Sequence, residues 1–164
     1  GTARGVPLFF SSNVGSTDAA GGELEIKGHA ASGFRWQASY ALAATADHTL
    51  LNQGPVPNSI VAYDDATPRH VVIGGIGYAE GKWEADLLGR WQSRYLDFRV
   101  NRQRTALLPI SIDNYVTMTA RIGYQLTGNI ALSLTAQQLN QAALLETAGP
   151  PVERRIIAGL TVRL

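Results

Sequence analysis

Apolar and polar residues alternate at a spacing of two along most of this chain. Residues 115–126 put Val116, Met118, Ala120, Ile122, Tyr124 and Leu126 on one face and Thr117, Thr119, Arg121 and Gln125 on the other. Phe34, Trp36, Ala38, Tyr40 and Leu42 oppose Arg35, Gln37 and Ser39 in the same way, and Trp83, Ala85, Leu87, Gly89 and Trp91 oppose Glu84, Asp86, Arg90 and Gln92. The pattern recurs over 129–137 and 155–164. Leu24, Ile26 and Gly28 against Glu23, Glu25, Lys27 and His29 predict a strand over about 22–30, with an N-terminal extension through 8–14. Both faces of 70–78 are apolar or Gly, which leaves its facing open. The best helical stretch, 137–147, lacks a clear cap and overlaps a strand signal. About seven strands follow, and the class is all-β.

Alternation alone does not separate a soluble sandwich from a membrane barrel, since each has one apolar and one polar face. The connections separate them. They run short (30–33), long (45–68), short (79–81), long (97–113), short (127–128) and long (140–151). An antiparallel up-and-down barrel with tight turns on one rim and large loops on the other has this rhythm, and a Greek-key sandwich has no reason to keep it. Pro55, Pro57, Pro68, Pro109 and Pro150 all fall in the long connections, and Pro151 closes the last, as expected of irregular exposed segments. Phe34, Trp36, Tyr78, Trp83, Tyr95 and Tyr124 sit towards strand ends, where a membrane interface selects amphipathic rings.

Composition narrows function by exclusion. The chain is 45% hydrophobic and 16% charged, with a formal net charge of +1, which removes a whole-chain case for nucleic-acid binding. There is no cysteine, and His29, His48 and His70 are too scattered for a metal cluster. No G-x-S-x-G or nucleophile–base pairing stands out, and Gly74-Gly75-Ile76-Gly77 lacks the Lys-Ser/Thr of a phosphate loop, so neither an enzyme nor a cofactor is expected. The longest apolar stretch, 71–79, is too short for a membrane helix. The chain begins at Gly1 in mid-pattern, which reads as a piece of something longer.

Several short motifs, in order, resemble the C-terminal part of the β-barrel of TonB-dependent outer-membrane receptors. Gly21-Gly-Glu-Leu-Glu-Ile26, a short turn and Phe34-Arg-Trp-Gln-Ala-Ser-Tyr40 are similar to one of that family's hairpins. Thr67-Pro-Arg-His-Val71 resembles the opening of its next strand, Ala131-Leu-Ser-Leu-Thr-Ala-Gln-Gln-Leu139-Asn140 its penultimate strand, and Arg154-Arg-Ile-Ile-Ala-Gly-Leu-Thr-Val-Arg-Leu164 its closing one. Two positions depart from the family pattern: Gln138 stands where Asn is usual, and Leu164 where a terminal Phe is usual.

The resemblance implies that 1–164 is the C-terminal segment of a roughly 22-stranded transmembrane barrel, with the plug domain and earlier strands absent from it. It further implies a place in the bacterial outer membrane, among lipid and lipopolysaccharide, and uptake of a scarce small-molecule cargo such as a ferric siderophore, energised through TonB. Arg35, Glu84, Asp86, Arg90, Arg94 and Arg121 would then line the lumen. Alternatives are a passive porin-like or autotransporter barrel and a soluble β-sandwich binding module.

For ligand capture, the long connection at 97–113 stands out, because Arg99, Arg102 and Arg104 fall within six residues. Guanidinium forks suit carboxylate, phosphate or catecholate-type anions. An anionic ferric chelate, lipopolysaccharide phosphate and bulk solvent all compete for that patch. Asp64 and Asp65, with Tyr63, lack the further ligands that a cation site needs.

Overall fold

Hydrogen-bond ladders join seven strands, in chain order, into one antiparallel meander: β1 (Gly15–His29), β2 (Phe34–Thr49), β3 (His70–Glu80), β4 (Trp83–Gln92), β5 (Tyr115–Gln125), β6 (Ile130–Gln137) and β7 (Arg155–Val162). The structure is a computed structural model and describes residues 2–3, 6–7, 15–49, 63–103 and 107–163. The expected extension over 8–14 lies outside the described residues, as does Leu164. β1 and β2 are longer than their patterns predict, starting at Gly15 and ending at Thr49.

Register keeps the two faces separate over six strands. Trp36 stands opposite Ile76, Ile76 opposite Leu87, Leu87 opposite Ala120, Ala120 opposite Ala136, and Ala136 opposite Ile156. One residue along, the row reads Arg35, Gly77, Asp86, Arg121, Thr135 and Ile157. A one-residue slip would move the apolar set of an alternating strand to the polar face, so for the alternating strands the pattern itself specifies the pairing. The pairing also resolves β3, whose Val72, Gly74, Ile76 and Tyr78 join the apolar face while Val71, Ile73, Gly75 and Gly77 join the polar one.

Nothing among the described residues covers the apolar face. Trp83 keeps 58% of its surface, Leu160 64% and Ile156 70%. A sandwich would bury these side chains against a second sheet, and no second sheet packs here. The outermost strands β1 and β7 each have one edge outside the ladder, so the meander is open.

The short connections are tight turns with local causes. Gly33 adopts φ +80°, its N–H donates to the Ala30 carbonyl at 3.1 Å, and a Cβ there would fall 1.9 Å from the Ala79 carbonyl oxygen. Gly81 adopts φ +59° in the two-residue turn before Trp83. In the third turn the Thr127 hydroxyl accepts from the Ile130 N–H at 3.1 Å.

The long connections hold more structure than the sequence predicts. Tyr95–Val100 pairs with Leu107–Ile112 as a two-stranded ribbon, Phe98 facing Pro109. So 97–100 and 107–112 are strands and not irregular loop, and Pro109 lies within one of them, where a ribbon with free edges tolerates its missing donor. β4 ends at Gln92, so Tyr95 starts the ribbon instead of closing β4 as an interface aromatic. Ala143–Leu144 pairs with Val152–Glu153 inside the last connection, in place of the helical stretch considered at 137–147, and Tyr63–Asp65 forms a single 3-10 turn.

Candidate functional site

The polar face carries an ion-pair chain across β2, β4 and β5. Arg35 donates to Asp86 at 2.5 Å, Arg121 donates to Glu84 at 2.9 Å, and Arg121 also stands 3.6 Å from Asp86. Arg35 reaches Asp86 across β3 because the residue between them is Gly77. All four groups are a third or more exposed, so the chain is a solvated, self-neutralised belt worth little stability, and it gives this face its polar character. Arg90 lies further along the same face, near Tyr115. Arg94 follows the end of β4 and stands at the rim, away from the belt.

Aromatic residues border the opposite, apolar face. Trp83 and Tyr124 pack with ring centroids 4.5 Å apart beside the short turns. Towards the other rim, Tyr40 stacks on His70 and its hydroxyl meets the His70 Nδ1 at 2.8 Å. Beyond Tyr40 the same face turns polar, with Asp18 paired to His48 at 3.0 Å. An apolar band between two aromatic borders is how a strand wall meets lipid.

At the long-connection rim the structure places Arg99 on the ribbon and Arg102 in its turn, both exposed and without an ion pair among the described residues. Arg104 lies outside the described residues. Below the ribbon is a polar cavity of about 640 Å³, lined on one side by Asp64, Asp65 and Arg69 and on the other by Arg94, Tyr95 and Ser111. The sequence carries no local sign of this cavity, because its walls come from separate connections. Asp64 is engaged in the backbone beside it, its Oδ1 accepting from the Asp47 N–H at 2.5 Å. The Tyr95 hydroxyl donates to the Glu146 carbonyl at 2.5 Å. Burial raises the Tyr95 phenol pKa above its ordinary value, with the charges of Tyr115, Asp97 and Glu146 adding to the shift and Arg90 opposing it.

Comparison with known proteins agrees with this geometry. The sequence profile of the family described as TonB dependent receptor-like, beta-barrel matches residues 1–139. Among solved structures, the FrpB iron transporter from Neisseria meningitidis (F3-3 variant) is similar with a TM-score of 0.68 at 12% identity, over 92% of this chain and 24% of that one. The ferripyoverdine receptor of the outer membrane of Pseudomonas aeruginosa, bound to ferripyoverdine, is similar at 0.64 and 18%, over 89% and 19%. The copper transporter OprC is similar at 0.63 and 19%, over 93% and 24%. No curated protein matches the chain at a significant level. The chain thus spans about a fifth to a quarter of the length of these solved relatives. A seven-stranded antiparallel meander with one aromatic-bordered apolar face and one ion-paired face, matched by the family profile over most of its length, belongs to the TonB-dependent receptor β-barrel family.

Proposed function

We propose that this chain is the C-terminal part of the wall of a closed outer-membrane barrel of about 22 strands, whose earlier strands and plug belong to the rest of the protein. The protein takes up a scarce small-molecule cargo such as a ferric siderophore, energised through TonB. The two-faced open meander carries this reading. Its apolar face needs lipid, its polar face suits a hydrated lumen, and both outer strands need further strands to complete their ladders. The long connections then lie outside the cell and the tight turns in the periplasm. Arg99, Arg102 and Arg104 form a cationic arm for an anionic cargo, with lipopolysaccharide phosphate as the competing target.

Uptake of a labelled ferric chelate by cells carrying the intact protein tests the reading. Uptake that stops when TonB is removed, with the protein in the detergent-extracted outer-membrane fraction, supports it. Uptake that continues without TonB would make the barrel a passive pore.

A further inference from the structure

Every buried side chain among the described residues sits at one rim: Ile112, Tyr115, Leu144 and Ala148, with Gln92 and Gln138 beside them. A sheet with lipid on one face and water on the other has no interior of its own, so this cluster is the packed core of the described residues. It lies where the Tyr95–Ile112 ribbon meets the 138–154 connection, with Tyr95 and Ile110 packed against Ile112, Tyr115 and Leu144.

A lone two-stranded ribbon is marginal in water and needs outside support. Two side chains at its base provide that support by bonding to the other connection. Asp97 accepts the N–H of Phe98 on Oδ1 at 2.7 Å and that of Ala148 on Oδ2 at 2.6 Å, so one carboxylate holds both segments. The Tyr95 hydroxyl donates to the Glu146 carbonyl. The 138–154 connection is itself held on both arms. Gln138 donates to the Glu146 carboxylate, and Arg154 donates to the carbonyls of Gln138 and Leu139, each at 3.1 Å. It is also stapled to β5, since the Leu139 N–H reaches the Met118 carbonyl and the Asn140 amide the Val116 carbonyl, both at 2.9 Å.

We propose that the ribbon and the 138–154 connection form one rigid cap fixed to the top of β5, with Asp97 and Tyr95 as its positioning residues. Arg99 and Arg102 are then presented from a preformed support, not from an independently moving loop, which lowers the ordering cost of whatever they bind. The cap does not depend on which cargo the receptor takes.

Hydrogen exchange followed by mass spectrometry on the intact protein in detergent, without cargo, tests the cap. In the wild type, the amides of the ribbon and of 143–148 share one slow time scale. In the Asp97→Ala/Tyr95→Phe double variant, both segments exchange about tenfold faster or more, while β2 and β3 do not change. Coil-like exchange of either segment in the wild type would overturn the proposal, as would a double variant that loosens the ribbon alone. Should the double variant not assemble, the wild-type comparison decides: shared slow exchange supports the cap and unequal exchange overturns it.

Discussion

Arg35 Nη2 and Asp86 Oδ1 lie 2.5 Å apart although a whole strand, β3, runs between theirs, and the β3 residue beneath the bond is Gly77. A Cβ at Gly77 would stand 2.5 Å from Arg35 Nε and 2.6 Å from Asp86 Oδ1, so the bond exists because that position has no side chain. Gly77→Val should therefore push both side chains aside and abolish their bond, at a net stability cost under about 1 kcal/mol, because both are flexible and part-exposed. The Arg35–Asp86 coupling, being part-exposed and screened, should be only about 0.2–1 kcal/mol. Denaturant unfolding of the reconstituted intact barrel, with an Arg35→Ala/Asp86→Ala cycle, gives both numbers. Repeated in the Gly77→Val background, the cycle should give no coupling, and a coupling that survives there would mean that this space is not needed.

The two faces should respond differently to charge. Ala120 lies in the apolar row with Leu87 and Ala136, whereas Thr119 faces the polar side opposite Leu88. Ala120→Arg should cost about 2–4 kcal/mol in the bilayer-inserted barrel, and Thr119→Arg much less. Equal costs in the same unfolding assay would mean that the faces or the environment are misassigned.

Replacing Arg99, Arg102 and Arg104 together by Ala should weaken binding of an anionic chelate and flatten its salt dependence, leaving barrel assembly intact. Arg99 and Arg102 lie beyond the seven-strand ladder and make no ion pair among the described residues, so their loss removes charge without removing a wall contact. Titrating the chelate at two salt concentrations reads the effect. Unchanged affinity with altered outer-membrane retention would assign the arm to lipopolysaccharide, and no change in either would leave it as solvated surface.

Gln138 occupies a left-handed conformation, φ +54°, which costs a residue with a side chain about 1–2 kcal/mol relative to glycine. Asn tolerates that conformation better than Gln does. Gln138→Gly and Gln138→Ala both lose the bond to Glu146, but only Gly escapes the backbone cost. The glycine variant should therefore be the more stable of the two by about 1 kcal/mol. Equal unfolding midpoints would show that the backbone there relaxes freely.

The wall of this protein was legible in its sequence, and the rim was not. A strand's facing repeats every two residues, so Val116 to Tyr124 and Trp83 to Trp91 reveal which side chains share a face with no knowledge of their neighbours. The short–long alternation of connections likewise pointed to the meander. For β3, where both faces are apolar or glycine, only pairing with Trp36 and Leu87 decided the matter.

Tertiary structure alone decided everything that depends on residues distant in the chain. Asp97 meets Ala148 and Tyr95 meets Glu146 across 51 residues, and neither segment has a periodicity that announces the contact. The ribbon hid because a Pro at 109 and a cluster of arginines read as loop, whereas packing of Ile110 and Ile112 onto Tyr115 and Leu144 overrides that local signal. Periodic burial against a uniform medium is written along a strand. Burial against another loop is written only in the fold, since its free energy appears once the two loops have come together.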